Sequence, residues 1–258
     1  MIHLKDGDEV LANIEPVKSR GTGLEHWGSS YFGPRYSTTE ISRGPQSLMT
    51  QMCANETILP HFHPVAQFQI FPSGAGMLGK SEVRPLMLQY KDHHSAYGPL
   101  TAGPHGLTFI SLRNRTGDSH PVYIGKPGYR EKLKPSKRRN WVSPHIPLST
   151  EAVLKSRKEV AWEPVYDPAK IIDEMNAHIV RLGGGMSTQL TDPKAGGGIY
   201  LFVANGELDM QNKLLPRWSM VYVEPEEDAT EIRAGAKGLE LLVMQFPKDD
   251  DLPAQAAA

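Results

Sequence analysis

The chain contains an internal repeat, and the spacing of that repeat constrains the fold more than any other feature. The segment AGPHGLTF at 102–109 resembles AGAKGLEL at 234–241, and their shared glycines, Gly106 and Gly238, lie 132 residues apart. The segments QIFPSGAGM at 69–77 and LFVANGELD at 201–209 have the same spacing. Two separate matches at one spacing indicate a duplication, because chance similarity would not fix the same offset twice. The sequence therefore predicts two domains of similar architecture.

The composition favours short strands over helices. Among 258 residues are 24 glycines and 21 prolines, spread along the whole chain. That density interrupts regular structure, and it is typical of strands joined by tight turns in a sandwich or barrel. Residues 1–45 show no clear helix signal. The best helix candidate is 149–160, with Ser149 or Thr150 as N-cap, and 168–177 is predicted to add a short helix.

The charge balance and the single cysteine exclude several functional classes. The 28 basic and 29 acidic residues nearly cancel, so we expect neither nucleic acid nor a membrane as a partner. One cysteine, Cys53, rules out an internal disulfide framework and fits a reducing compartment. The N-terminus lacks a signal pattern, and no apolar stretch has the length of a membrane span. We therefore expect a soluble, cytoplasmic protein.

The first half carries a His-x-His motif in a stretch rich in β-formers. His61, His63 and Gln67 share parity, so in a strand they project from one face. Two imidazoles at that spacing can bind one transition-metal ion. A histidine on a strand is more often a packed or hydrogen-bonded residue, and the motif alone does not decide between the two interpretations.

The spacing around these histidines resembles the first motif of the cupin superfamily. That motif is a glycine, five residues, His-x-His, three or four residues, a glutamate, six residues and a glycine. His61, His63, Gln67 and Gly74 reproduce the spacing, with glutamine in place of the glutamate. The resemblance and the repeat together imply an all-β chain. Its fold would be two cupin-type barrels (double-stranded β-helix or jelly roll) with few short helices.

A second cupin motif runs Pro-x-Gly-x-x-His-x-x-x-Asn. The stretch TAGPH at 101–105 resembles its first half, one residue shorter and with threonine for the proline, and Phe109 then stands at the asparagine position. In cupins the two histidines and the glutamate of the first motif bind the metal together with the histidine of the second. The resemblance therefore implies His61, His63 and His105 as imidazole ligands. Gln67 would be the fourth ligand, or would instead hold a water or the substrate beside three histidines.

The second copy of the repeat serves as an internal control. At the same offset all four candidate ligand positions lack ligating side chains, and the residues found there are Pro193, Ala195, Ile199 and Lys237. The fold pattern persists without the polar groups, so the fold itself does not require them. Their presence in the first half favours a functional role. We therefore expect the metal site in the N-terminal barrel only.

The resulting domain prediction has five parts. They are an N-terminal arm at 1–45, a metal-binding barrel at 46–118, a connector with short helices at 119–178, a barrel without metal at 179–247, and a disordered tail at 248–258. The basic run in the connector is interpreted as a solvated face. The cupin resemblance and the aromatic N-terminal arm imply a homodimer.

The predicted chemistry follows from neutral ligands. Three imidazoles and an amide leave a divalent ion its full charge, which favours a small anionic or enolisable organic substrate. Such ligands suit Fe(II), with Zn, Ni, Mn or Cu as other possibilities. The resemblance then implies a non-haem iron oxygenase or dioxygenase. A metal-dependent lyase or isomerase and a non-catalytic small-molecule-binding protein are the alternatives. Gln67, Tyr97 and Arg113 are the candidate catalytic or substrate-contacting residues.

Overall fold

The computed structural model describes residues 1–18, 25–35 and 37–248, and regular structure in them is almost entirely β. The helices are α1 (Gly7–Ala12) and α2 (Glu151–Ser156), with single 3-10 turns at Pro168–Lys170 and Pro193–Ala195. In chain order the strands are β1 (Ile2–Lys5), β2 (Glu15–Lys18), β3 (Glu25–Phe32), β4 (Ser42–Met52), β5 (Thr57–Ile58), β6 (His61–Phe62), β7 (Gln67–Leu78), β8 (Ser81–Val83), β9 (Met87–Lys91), β10 (Leu100–Thr116), β11 (Val122–Tyr123), β12 (Asn140–Val142), β13 (Ala161–Pro164), β14 (Asn176–Leu182), β15 (Ser187–Gln189), β16 (Ile199–Met210), β17 (Lys213–Leu215), β18 (Met220–Val223) and β19 (Glu231–Gln245).

The strands form two large sheets, one for each half of the chain. The first has the order β12-β9-β7-β10-β4-β3-β2, with β5 paired to β10 and β8 paired to β7. The second has the order β1-β18-β16-β19-β14-β13, with β15 paired to β19 and β17 paired to β16. Strands β6 and β11 form a small antiparallel pair beside the first sheet. This arrangement gives the two barrels that the sequence predicted.

The same elements recur in the two halves at the predicted spacing. Strands β7 and β8 each begin and end 132 residues before β16 and β17, respectively. The glycines that anchored the comparison have matching backbones: Gly74 and Gly206 have φ of +76° and +74°, and Gly106 and Gly238 have φ of +80° and +82°. A Cβ on Gly74 would lie 2.4 Å from the carbonyl oxygen of Gly106. Only glycine fits such a close crossing at positive φ.

The two barrels differ in what fills them. The C-terminal barrel is filled by aliphatic side chains that are almost completely buried, among them Val180, Leu201, Val203, Val221, Leu241 and Val243. Ile199 occupies the position of Gln67 in this barrel and is fully buried. The N-terminal barrel keeps polar groups at the matching positions and contains a cavity. The second copy therefore retains the fold with an apolar interior.

An aromatic core joins the barrels to each other. Phe68 of β7 meets Phe246 edge to face, with ring centroids 5.0 Å apart. Tyr200 of β16, which corresponds to Phe68 in the repeat, donates a hydrogen bond of 2.7 Å to the carbonyl oxygen of Arg113 in β10. It also lies 3.2 Å from the carbonyl oxygen of Gln46 in β4. The C-terminal barrel thus holds the backbone of two strands that carry polar side chains of the first barrel.

The N-terminal segment differs from its prediction. Helix α1 forms where no helix was expected, because the Asp6 side chain caps it by accepting a hydrogen bond of 2.8 Å from the Asp8 amide. Strand β1 pairs with β18 of the second sheet, whereas β2 and β3 extend the first sheet. The segment is therefore built into both barrels. Residues 19–24 and 36 of the predicted arm lie outside the described residues.

Of the remaining local predictions, one helix agrees with the structure and the other does not. Helix α2 lies within the predicted 149–160 range and begins after Thr150, while 168–177 holds one 3-10 turn and the start of β14. Within the predicted connector, β12 pairs with β9 of the first sheet and β13 pairs with β14 of the second. Residues 249–258 of the predicted tail lie outside the described residues. In the part of the chain that the structure describes, no helix has the length and apolarity to cross a membrane.

Candidate active site

A cavity of about 140 Å³ opens inside the N-terminal barrel. Its apolar lining residues are Leu48, Ile58, Leu100, Phe109 and Tyr123. Its polar lining residues include His61, His63, Gln69, Tyr97, Ser111 and two arginines, Arg35 and Arg113. No aspartate or glutamate lines the cavity among the residues that the structure describes. The lining is therefore cationic or neutral throughout.

His61 and His63 project into this cavity together, as the sequence predicted. Their ring centroids lie 5.1 Å apart. The Nδ1 atoms are 2.7 Å from the carbonyl oxygens of Leu59 and Ser119, respectively, so each Nδ1 carries the proton and donates it. The Nε2 atoms are therefore acceptors. Burial lowers the pKa of His61 to about 4 and holds the pKa of His63 well below its usual range, so both rings are neutral at pH 7.

Tyr97 lies between the histidine pair and Gln67. Its hydroxyl oxygen is 3.0 Å from His61 Nε2 and accepts a hydrogen bond of 2.7 Å from Gln67 Nε2. Backbone hydrogen bonds of 3.0 Å in both directions join His61 and Tyr97 and fix their spacing. Burial raises the pKa of the Tyr97 hydroxyl. The hydroxyl is thus protonated at neutral pH and donates to the imidazole, which forms a pair that can move a proton.

The Arg113 guanidinium lies beside the histidines with only neutral partners. Its Nη1 donates to Gln46 Oε1 at 2.7 Å and to Ser119 Oγ at 2.8 Å, and its Nη2 donates to Gln67 Oε1 at 3.1 Å. Nη2 also lies 3.4 Å from His63 Nε2. Burial lowers the pKa of Arg113 to about 10, so the group remains charged at neutral pH. A buried charge without a counter-charge is costly to fold, and it suits an anionic ligand.

A second buried basic group lies behind Tyr97. Lys91 is paired in register with Gln67 on the neighbouring strand, and its Nζ is 3.6 Å from the centroid of the Tyr97 ring. The side chain is 1% exposed, and Nζ has no hydrogen-bond partner among the described residues. Burial lowers the pKa of Lys91 to about 6. The lysine is therefore mostly neutral at pH 7.

The structure does not bring His105 to the other two histidines. His105 is exposed and lines a separate surface cavity with Trp27 and Cys53. The reason is the turn at Gly106, after which Phe109 and Arg113 project into the first cavity. The ligand set predicted from His105 is corrected accordingly.

The second motif fits the structure in a different register. Pro104-His105-Gly106 provides the Pro-x-Gly, which places Phe109 at the histidine position and Arg113 at the asparagine position. The repeat already contained this signal, because Gly106 is the glycine shared with the second copy. Sequence reasoning also missed His26 and Ser111 in the lining and Lys91 behind it. Ser111 shares strand parity with Arg113, which would have identified it.

The cavity offers a transition metal fewer ligands than the sequence predicted. Among the described residues, no group of three or more His, Cys, Asp or Glu side chains is placed to hold a metal ion. His61 Nε2 is engaged by Tyr97, and Gln67 Oε1 accepts from Arg113. Phe109 replaces the third imidazole, and the charged guanidinium reaches within 3.4 Å of His63 Nε2. A divalent ion there would face a fixed cation with only two imidazoles to hold it.

Comparisons with known proteins agree on the fold. No protein-family model matches the sequence, and no curated protein matches it. The structure is similar to bacterial pirin YhhW of Escherichia coli in complex with nickel(II), with a TM-score of 0.57 and 11% identity over 96% of this chain and 100% of that one. The fold is a cupin fold. The predicted fold class is thus confirmed.

Two further solved structures are similar over most of their length. One is a dioxygenase candidate from Nostoc punctiforme, with a TM-score of 0.63 and 11% identity over 98% of this chain and 85% of that one. The other is salicylate 1,2-dioxygenase of Pseudoaminobacter salicylatoxidans, with a TM-score of 0.54 and 14% identity over 95% of this chain and 84% of that one. At such identities the likeness concerns the fold alone.

Proposed function

We propose that the cavity binds a small organic acid through Arg113 and that the chain is an enzyme acting on that acid. The observation that carries the proposal is the buried guanidinium. It has only neutral hydrogen-bond partners, and the described residues that line its cavity include no carboxylate. A carboxylate or enolate entering the cavity would neutralise it through charge-assisted hydrogen bonds.

The volume of the cavity and its apolar lining residues limit the kind of ligand that it can hold. A volume of about 140 Å³ is close to the roughly 150 Å³ that accommodates benzene in an apolar protein cavity. Phe109, Tyr123 and Leu100 line the same cavity as Arg113 and would contact the carbon skeleton. A single aromatic ring or a short chain with one acidic group fits a lining that combines apolar and cationic groups. A similar structure, salicylate 1,2-dioxygenase, has been solved with gentisate, which is an acid of this size.

The chemistry that these residues offer is proton transfer. The Tyr97 hydroxyl donates to neutral His61, and both groups line the cavity that Arg113 would anchor. Tyr97 can give its proton to a carbonyl oxygen on which negative charge develops. The His61 Nε2 lone pair that this frees can take up the proton leaving the carbon beside that carbonyl. Gln67 holds Tyr97 with its amide nitrogen and Arg113 with its oxygen, and so fixes the distance between the two.

Two experiments test this proposal. Titration calorimetry with benzoate should show binding to the unmodified protein and loss of binding in Arg113→Met. Arg113→Lys, which keeps the charge, should bind more weakly than the unmodified protein but more tightly than Arg113→Met. Arg43→Met serves as the matched control because Arg43 is an exposed arginine paired with Glu226. For catalysis, small 2-oxo acids are incubated in D₂O and followed by NMR. Deuterium should appear at the carbon beside the carbonyl, and Tyr97→Phe should abolish its incorporation.

The second candidate function is the metal-dependent oxygenase that the cupin resemblance implies. It is favoured by one observation: both cavity histidines donate Nδ1–H to backbone carbonyls and direct Nε2 inward, which is how metal-binding histidines are usually held. A bound metal would supply Lewis-acid or oxygen chemistry. About one iron per chain after anaerobic loading, lost in His61→Ala/His63→Ala, together with oxygen uptake, would favour this candidate. The predicted homodimer stays a prediction.

A further inference from the structure

A second and larger cleft lies on the other side of the loop that follows His63. Its volume is about 850 Å³, within the range of about 300–1,000 Å³ typical of small-molecule sites. Pro64, Val65 and Ala66 line this cleft, whereas His63 lines the first cavity. The segment 132–139 and the end of the second barrel, at Pro247 and Lys248, complete its walls. The two spaces therefore share a loop and have separate linings.

The lining of this cleft is strongly basic. Lys132, Lys134 and Lys248 are exposed and form no ion pair within the described part of the chain. Lys137 is paired with Asp173. Arg139 bonds both Asp92 and Asp173 and forms part of the wall. Asp92, the one carboxylate in the described lining, is thus already neutralised. Several lysine charges converge on the cleft without a counter-charge.

A buried histidine with one unpartnered ring nitrogen supports a ligand site here. His94 lines the cleft and is 9% exposed, yet its Nδ1 has no hydrogen-bond partner among the described residues. Its backbone has φ of +52°, a conformation that non-glycine residues rarely adopt. A hydrogen bond of 2.7 Å from its amide to the carbonyl oxygen of His63 holds it there. Unsatisfied buried polar atoms and strained backbones cluster at binding sites.

We propose that this cleft binds a small organic phosphate, with the phosphate on the lysines and His94 and the organic part on the apolar wall. Lysine ammonium groups act as point charges that suit a compact, multiply charged anion, whereas the basic groups lining the first cavity are guanidinium groups, which suit a planar carboxylate. The apolar wall consists of Ile41, Val65, Ala66, Pro135 and Pro247. The inference is independent of the function proposed for the first cavity.

The test is titration calorimetry of the full chain at low salt with inorganic pyrophosphate, phenyl phosphate and citrate. Pyrophosphate and phenyl phosphate should bind, and their affinity should fall as salt is added. Lys132→Gln/Lys134→Gln should weaken both by about three- to tenfold. Lys80→Gln/Lys158→Gln removes the same charge from exposed positions outside the described cleft lining and should change nothing. Benzoate should not displace either phosphate.

The sequence continues from Lys248 into Asp249, Asp250 and Asp251, so carboxylates of the chain itself could compete. A variant with these three residues changed to asparagine is therefore titrated in parallel. The proposal is supported if pyrophosphate and phenyl phosphate bind to the unmodified protein or to the asparagine variant, and if Lys132→Gln/Lys134→Gln weakens this binding whereas Lys80→Gln/Lys158→Gln does not. Absence of binding in both proteins overturns it, as does equal loss in the control. Citrate binding as tightly as phenyl phosphate would overturn the assignment to phosphates.

Discussion

Replacing Lys91 with methionine should stabilise the protein, because the lysine is buried without a partner. Methionine has a similar length, and no hydrogen bond is lost, since Nζ makes none among the described residues. The unfolded chain protonates this lysine at the ordinary pKa of 10.5, whereas burial lowers the folded pKa to about 6. Holding an ordinary lysine neutral at pH 7 costs about 5 kcal/mol, at 1.36 kcal/mol per pH unit below 10.5.

The sign of the pH dependence follows from proton counts. Between pH 6 and 10.5 the unfolded state binds the Lys91 proton and the folded state does not, so the stability of the unmodified protein rises with pH across this window. The penalty is largest below pH 6 and disappears above pH 10.5. After allowance for an imperfect fit of the methionine side chain, we expect Lys91→Met to gain about 3–4 kcal/mol at pH 7. The gain should shrink by about 2–3 kcal/mol at pH 9.

Urea and thermal denaturation at pH 7 and pH 9 measure this effect. A gain of 3–4 kcal/mol corresponds to a melting temperature raised by about 10 °C for a chain of this size. Lys80→Met is the matched control, since Lys80 is exposed and its replacement should change stability by less than about 0.5 kcal/mol. A gain that is equal at both pH values, or a loss of stability, would refute the reasoning. A confirmed gain would show that Lys91 is kept at the expense of stability, as is common at functional sites.

Three further predictions concern the strand crossing at Gly74, the buried His61 and the contact that Tyr200 makes between the barrels. Gly74→Ala should destabilise the chain by about 2–4 kcal/mol, since the new Cβ would lie 2.4 Å from Gly106 O at φ +76°, and an unchanged urea midpoint would contradict this. Because burial lowers the His61 pKa to about 4, the unfolded state binds more protons between pH 6.5 and 4. The free energy of unfolding should therefore fall by about 3 kcal/mol as pH drops through that window. In His61→Phe the urea midpoint should depend less on pH across the same window. Tyr200→Phe removes the hydrogen bond to the Arg113 carbonyl, which should cost about 1–2 kcal/mol and weaken benzoate binding in calorimetry, whereas unaltered affinity would show that the C-terminal barrel does not position the site.

The duplication could be predicted from sequence because it rests on local constraints. Gly74 and Gly106 must be glycine where two strands cross, and the same constraint acts at Gly206 and Gly238, so the spacing survives divergence. The His-x-His motif could be placed on one face for a similar local reason, namely strand parity. These features fixed the two barrels and the position of two cavity histidines.

The composition of the cavity could not be predicted in the same way. Arg113 reaches Gln67 across strands that are 46 residues apart in sequence, and only the register of the sheet brings them together. The second motif was aligned in the wrong register. The prediction therefore placed His105 in the site, whereas His105 is exposed and Phe109 lines the cavity. Strand β1 joins a strand more than 200 residues away, and no local pattern indicates such a partner. The pairing of strands that are distant in sequence determines each of these features.

The most direct test of the account is benzoate titration into protein that has been dialysed against a chelator. If the guanidinium holds the acid, benzoate should bind to the chelated protein and to Arg43→Met but not to Arg113→Met. Binding that appears only after Fe(II) is restored, or that persists unchanged in Arg113→Met, would contradict it.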